Sequence, residues 1–452
     1  VRDLIVTALF VFGALVALKR PYYGALLWVW IGLMNPHRLG WGFAYDLPFA
    51  MASVVIIALG MLFSMRAIRW QTGGPAVVLI LMILWMTLTS FTAILPEPSQ
   101  TKLIDVLKVL GMTLVVGALV ASREQIVGLI WVVVGSIAFF GVKGGIFTLT
   151  TGGEFRVWGP PSSLVQGNNE LALALIISIP LLYFLAKQAT LAREFVLVSR
   201  IPEKWLTRGL MVSILLCAVA AIGSHSRGAL LAIIAMASMM WWRSRSKVAM
   251  GFLFLALTPA ILMLMPEEWF SRMETIETYE EDLSALGRIN AWHMAINIAN
   301  DRIFGAGFAT ASPVVFNAYA PNPDWVLVAH SIYFQILGDH GYIGLGLYLL
   351  FWILTYRVAG RLAAMEGRGA RFEWVAMLGN MTKVSLVGFA VGGAFLSLAY
   401  WDMPFYLMII LLATERYVKE VLVKAPEDVV PSAEVGNGET PSHQRASSVV
   451  SG

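Results

Sequence analysis

Five side chains that could handle an anion or a proton stand at the edges of apolar runs: Arg156, His225, Arg227, Arg288 and His330. Gly223–Leu231 reads GSHSRGALL between two hydrophobic stretches. A tight turn there needs only glycine, serine or asparagine, so the histidine and the permanent cation call for another reason. Ser224 or Ser226 can cap the helix that follows, which puts Arg227 in its first turn. A cation in that place is unfavourable by about 0.3–1 kcal/mol. A bound anion reverses the sign and gains from both the arginine and the free backbone N–H groups. The stretch SALGRINAW repeats the arrangement, with Ser284 as its N-cap and Arg288 in the first turns. Two arginines so placed point to a phosphate or diphosphate. The competing reading of each of Arg156, Arg227 and Arg288 is an interfacial anchor whose head reaches water from a span end.

The remaining polar groups sit in similar places. Arg156 lies in GGEFRVWGPPSSLVQGNNELALAL, where Asn168 and Asn169 stand just ahead of an apolar run. His330 opens the run HSIYFQILGDHGYIGLGL, and Tyr333 and Gln335 can line a cavity beside it. His225 reads equally well as a structural residue at a helix start. The glycines of GDHGYIGLGLYLL are expected to permit close helix packing.

The elements that position these groups are hydrophobic helices. Of 452 residues 58% are hydrophobic and 13% are charged, with net charge +4, against about 25% charged in a soluble domain. Apolar runs recur along almost the whole length, as expected for helices crossing a hydrocarbon core of about 30 Å. They do not alternate as barrel strands would. The class is an all-α polytopic membrane protein, and nothing points to nucleic acid. The single Cys217 excludes an intramolecular disulfide framework and a cysteine metal cluster. The first run has no small-residue cleavage site and leads at once into another, so it reads as a span and not as a cleaved signal.

Candidate spans are 4–18, 23–34, 49–64, 76–95, 103–120, 126–148, 171–187, 207–223, 229–242, 248–265, 331–356, 375–399 and 404–415. Basic residues cluster in alternate connections: Lys19/Arg20, Arg66/Arg69, Arg123, Lys187 to Arg208, Arg243 to Lys247, Arg357 to Arg371, and Arg416/Lys419. The positive-inside rule makes these cytoplasmic and puts 35–48, 96–102, 149–170, 223–228, 266–330 and 400–403 outside. The first two runs are short and are expected to form one bent or partial crossing, giving about 12 spans. Residues 1–424 form the membrane domain, with 266–330 as one long periplasmic loop that is acidic first and helical later. Residues 425–452 lack apolar periodicity and are expected to be a disordered cytoplasmic tail.

Absences narrow the chemistry. The chain has no Asp-x-Asp pair to hold a cation on a diphosphate, no P-loop, no GxSxG and no HExxH. A site without metal or cofactor, using arginines as the cation, fits the residues present.

These motifs together resemble the O-antigen ligase and polymerase superfamily, nearest the branch of ligase-like proteins associated with exosortase-A clusters. The resemblance is carried by MNPHRLGWGFAYDLPFA, FFGVKGGIFTLTTGGEFRVWGPPSSLVQGNNELALAL, GSHSRGALLA, LGRINAWHMAINIANDRIFGAGF and AHSIYFQILGDHGYIGLGLYL, and it covers about residues 1–415. It implies a GT-C-like membrane glycosyltransferase of the bacterial inner membrane. Such an enzyme takes a glycan from undecaprenyl diphosphate on the periplasmic face and passes it to a hydroxyl, in ligases that of lipid A–core. The family's essential arginines fall on Arg227 and Arg288 and its histidine on His330. Arg156, Asn168, Asn169, His225, Tyr333 and Gln335 are expected substrate contacts. The expected reaction is an inverting, metal-independent displacement: His330 takes the acceptor proton while the two arginines stabilise charge growing on the diphosphate. The motifs describe the donor half of the reaction, so a polymerase or a protein O-glycosylation ligase with the same donor remains open. A flippase or exporter of a lipid-linked glycan is the alternative of another class, although it would place its sites nearer mid-bilayer.

Overall fold

The computed structural model describes residues 1–63, 68–243, 246–248, 251–252, 255, 259, 270 and 283–424. Arg66, Arg245, most of the expected span 248–265, the acidic opening of the long loop (Phe270 apart) and the tail from 425 lie outside the described residues. The described residues are helical, with no strand among them. In chain order the helices are α1 (Arg2–Lys19), α2 (Pro21–Met34), α3 (Phe49–Phe63), α4 (Gly74–Phe91), α5 (Pro96–Leu119), α6 (Arg123–Thr150) and α7 (Asn168–Lys187). There follow α8 (Ala189–Ala192), α9 (Glu203–Ile222), α10 (Arg227–Arg243), α11 (Leu283–Asp301), α12 (Pro313–Tyr319), α13 (Ile332–Ala363), α14 (Glu373–Gly393) and α15 (Asp402–Lys424).

Among the described residues six helices are long and apolar enough to cross a membrane: α4, α6, α7, α9, α13, and α14 with the short turn before it. Their surfaces fit that use. On α4, Leu79, Met82 and Met86 are buried, while Val77, Ile80, Leu81, Leu84 and Leu88 are exposed along the opposite face. An apolar stripe of that size facing outward suits lipid and not water. α7 is the most enclosed of the six and packs against α6, α9, α10 and α14.

The first two runs form a hairpin, which corrects the expectation of one bent crossing. A proline at the second helix's start turns the chain after Lys19. Asp3, at the head of α1, accepts from the backbone N–H groups of Gly42 and Ala44 just beyond α2. The start of α1 and the end of α2 therefore lie at one end of the bundle. The same end holds the α6–α7 loop, because Asn35 donates to the carbonyl of Pro161 (3.0 Å). At the other end the backbone N–H of Arg69 donates to Ala118, and ion pairs join Arg69 to Glu420 and Arg361 to Glu415 (both 2.7 Å).

Two long apolar runs do not fold as single straight helices. The expected span 375–399 stops as a helix at Gly393, and residues 394–401 form a turn. The pair Gly392-Gly393 weakens the helix and lets it approach Leu173 and Ile332 closely. The expected span 331–356 is broken at Gly341, whose φ of 68° and ψ of −171° are not helical. The break frees three carbonyls inside an apolar region, where each must find a donor. Gly338 receives the N–H of Ala306 (3.0 Å), Asp339 that of Gly307 (2.9 Å), and His340 the indole N–H of Trp85 (2.9 Å). Residues 303–308 thus lie against the broken helix almost like a paired strand. Glycines at 305 and 341 allow this: a Cβ on Gly341 would stand 2.5 Å from the carbonyl oxygen of Ile303. The expected close packing in GDHG is met by a chain segment seated on a helix break.

Candidate active site

The α6–α7 loop is bound to the turn between α9 and α10 at three points. Asn168 donates from Nδ2 to the carbonyl of Ser224 (2.7 Å), His225 Nε2 donates to the carbonyl of Gly153 (2.9 Å), and the Val157 N–H reaches the carbonyl of Gly223 (3.4 Å). Asn168 and His225 are both buried, so these polar groups secure the loop in place of facing an open space. That is the structural reading of His225. It takes a left-handed backbone conformation (φ 56°), one that histidine visits more readily than most residues. Ser226, and not Ser224, caps α10: its Oγ accepts the Ala229 N–H (3.2 Å), while Ser224 Oγ donates back to Ala221. Arg227 is accordingly the first residue of α10, where the sequence puts it. The next residue, Gly228, packs against Phe395 in the turn after α14.

Arg288 lies in the second turn of α11 as described, and Ser284 is already inside that helix, not ahead of it as expected. Its charge acts on two groups from different parts of the chain, Glu170 at the start of α7 and His330. α11 also holds the strand-like approach to His330. Asn290 donates to the carbonyls of Asn322 and Trp325, Trp292 donates to that of Ala329 (2.7 Å), and the Trp292 ring stacks on Phe334 at 4.9 Å.

His330 is half-buried just before α13. Its backbone N–H donates to Ser397 Oγ (3.0 Å), and its φ is 44°. A non-glycine residue held there stores about 1–2 kcal/mol, strain that gathers at functional sites. Burial first, and then the Arg288 charge, push its pKa below the ordinary histidine value of 6.5. The ring is therefore neutral near pH 7 and able to take a proton. Gln335 accepts the Ala399 N–H (3.3 Å), and Tyr333 donates to the carbonyl of Ala390 (2.8 Å). Arg156 and Asn169 are half-buried, and among the described residues no hydrogen bond or ion pair is found for either side chain.

A cavity of about 670 Å³ opens beside His330. Ala329, next to the histidine in the chain, lines it together with Gln335, Ser397 and, from α5, Glu97, Lys102 and Asp105. Asp339 and Tyr400, both buried, also line it. Tyr400 donates to Asp339 Oδ2 (2.7 Å) and Thr310 to Oδ1 (3.1 Å). His340 Nε2 lies 3.0 Å from the Tyr400 oxygen, and its Nδ1 lies 2.7 Å from Thr89 Oγ1. His340 thus bridges Tyr400 and Thr89 through its two ring nitrogens.

Residues 212–349 match the family model of O-antigen ligase. Over that segment the chain is similar to the O-antigen ligase family. Residues 1–190 match a second model, a family of unknown function (DUF5935). No curated protein matches the chain. The ligase segment contains Arg227, Arg288 and His330 together with Asp339 and His340. Lys102 and Tyr400, on the same cavity, come from outside it.

The cluster of Asp339, His340, Tyr400 and Thr310 is absent from the sequence reading. A usable signal was present: an Asp-His pair inside an apolar run is expensive unless partnered, and so marks a site. Ser397 and Tyr400 gave none, because their turn is hidden within an unbroken apolar stretch.

Proposed function

We propose that the protein is an O-antigen ligase: a glycosyltransferase that moves a glycan from undecaprenyl diphosphate to a hydroxyl of lipid A–core at the periplasmic face of the bacterial inner membrane. The observation that carries this reading is the pairing of Arg288 and His330 inside the segment that matches the ligase family, with the histidine's chain neighbour Ala329 and its backbone partner Ser397 both lining a cavity. Arg288 and Arg227 bind the donor diphosphate. A guanidinium offers a planar fork to phosphate oxygens and remains charged at every relevant pH. As the sugar–phosphate bond breaks, the pair stabilises the charge left on the diphosphate. Neutral His330 removes the proton from the acceptor hydroxyl as that oxygen attacks the anomeric carbon from the opposite side, inverting its configuration. Arg156 and Asn169, at the mouth of the α6–α7 loop, are assigned to the donor glycan. The candidate residues gather at one end of the bundle, which favours an enzyme over a carrier needing access from both faces.

The reaction is tested with purified protein, a defined lipid-linked glycan, and lipid A–core, a protein or a second donor as acceptor. Transfer to lipid A–core in excess EDTA is expected to run at the untreated rate. Loss of transfer in EDTA, restored by Mg²⁺ or Mn²⁺, refutes the arginine-based mechanism. Transfer to a second donor alone makes the protein a polymerase.

The side of the membrane has its own test. Exposed Gln100 and Asn317 lie toward the cavity end, and exposed Leu197 and Arg368 toward the other. Cysteine at 100 or 317 is expected to react in intact cells with a thiol reagent that does not cross the inner membrane, and cysteine at 197 or 368 only after lysis. The buried Cys217 can remain in place. The reverse pattern places the cavity in the cytoplasm and removes the proposed donor from reach.

A further inference from the structure

The cavity beside His330 differs in character from the arginine side of the site. Among its described lining residues Lys102 is the only cation, set beside the carboxyl groups of Glu97 and Asp105 and the buried Asp339. Asp105 also pairs with Lys108 on the solvent side (3.2 Å). Thr101 and Gln335 add neutral polar groups, and the largely buried Phe308 and Tyr400 also border it. Carboxylates and amides accept hydrogen bonds from hydroxyls or ammonium groups. A phosphate or carboxylate entering here would meet the carboxyl groups of Glu97 and Asp105 beside the one ammonium of Lys102. The volume, about 670 Å³, lies inside the roughly 300–1,000 Å³ usual for small-ligand sites. Its floor is built and not incidental: both oxygens of the buried Asp339 are held by hydroxyls of Tyr400 and Thr310. Ala309, on the same wall, keeps a left-handed backbone (φ 68°) that alanine adopts only under constraint.

We propose that this cavity is the acceptor subsite, and that it selects a terminal sugar that is neutral or amino-bearing over one carrying phosphate or carboxylate. The inference rests on the transferase reading. It adds a division of roles within one site: the arginines take the anionic leaving group, and the cavity takes the uncharged or cationic acceptor. Ala329 joins the cavity wall directly to His330, and Ser397 fixes the histidine backbone from the same wall. A sugar seated there presents its hydroxyl to the proposed base without entering the diphosphate region.

The test uses the full-length protein in nanodiscs and three soluble probes: methyl glucoside, methyl glucosaminide and methyl glucoside 6-phosphate. Binding is read by saturation-transfer NMR, and donor binding separately with a fluorescent lipid-linked diphosphate. The first two probes are expected to bind at least about tenfold more tightly than the phosphorylated one, since like charges in a site oppose binding. Ala311→Trp, at an exposed position on the cavity lining, is expected to weaken both by about tenfold or more by filling space, with donor binding unchanged. In Glu97→Gln/Asp105→Asn the discrimination against the phosphate is expected to collapse to about threefold or less. Equal binding of all three probes by the native protein, or full glycoside binding by Ala311→Trp, overturns the subsite. A protein that binds the glycosides as expected but not the lipid-linked diphosphate leaves the cavity a saccharide site and refutes the transferase reading alone.

Discussion

His330→Ala is expected to slow glycan transfer by about 10²–10⁴-fold, the usual share of a general base, while binding of the lipid-linked donor stays near normal. The separation follows from the geometry. His330 adjoins the cavity through Ala329 and Ser397, whereas the diphosphate is assigned to Arg227 and Arg288. Arg288→Lys is expected to do the opposite in part, weakening donor binding as well as slowing transfer, because an ammonium keeps the charge and loses the fork. The pH dependence gives a check that a purely structural role would not pass. The active form of the base is neutral, so transfer falls as pH drops through the pKa of His330. Burial first and Arg288 second lower that pKa below 6.5, so in the proposed role the acid limb of the native protein is expected below 6.5. Arg288→Gln removes one of the two lowering causes and is expected to move the limb to higher pH. Arg288→Lys retains the cation and should leave the limb where it is. If His330→Ala abolishes donor binding while transfer per bound donor is normal, His330 is a donor ligand. Should Arg288→Lys behave as native in binding, rate and pH profile, Arg288 is an interfacial anchor.

What was legible in the sequence divides along physical lines. Apolar runs and alternate basic connections announce a helical membrane protein because burial in lipid demands them. Arg227 at a helix start was readable because the serine cap precedes it. The family motif drew attention to His330 and Arg288, and the Arg288 charge is one of the two causes that lower the histidine's pKa. The acceptor-side cavity was not readable, since its parts come from α5, residues 308–311, the turn after α14 and the middle of an apolar run. Local periodicity carries no information on which distant segments meet. The sequence also treats polar residues as free to bind ligand, whereas Asn168 and His225 are occupied in holding one loop to one turn. Only the partner, four or more dozen residues away in the chain, reveals that use.

The break in α13 should be the most sensitive backbone position in the molecule. Gly341→Ala puts a Cβ on a residue at φ 68° and ψ −171°, a region that is almost exclusively glycine's and costs others about 1–3 kcal/mol. The new atom would also stand 2.5 Å from the backbone oxygen of Ile303, and backbone cannot swing aside as a flexible side chain can. Such overlap typically adds about 1–3 kcal/mol. The chain can escape by closing the break and continuing the helix, but the carbonyls of Gly338 and Asp339 would then give up the N–H groups of Ala306 and Gly307. Residues 303–308 would lose their seat, and Thr310 its position against Asp339. Either route predicts a large fall in thermal stability in detergent, together with loss of glycoside binding. Gly346→Ala is the control, on the same helix and with open space around its Cβ position. It is expected to be neutral or to stabilise by about 0.5–1 kcal/mol, as alanine does in a helix. If Gly341→Ala melts with the native protein and still binds methyl glucoside, the break does not build the cavity, and residues 303–308 must be held by other contacts.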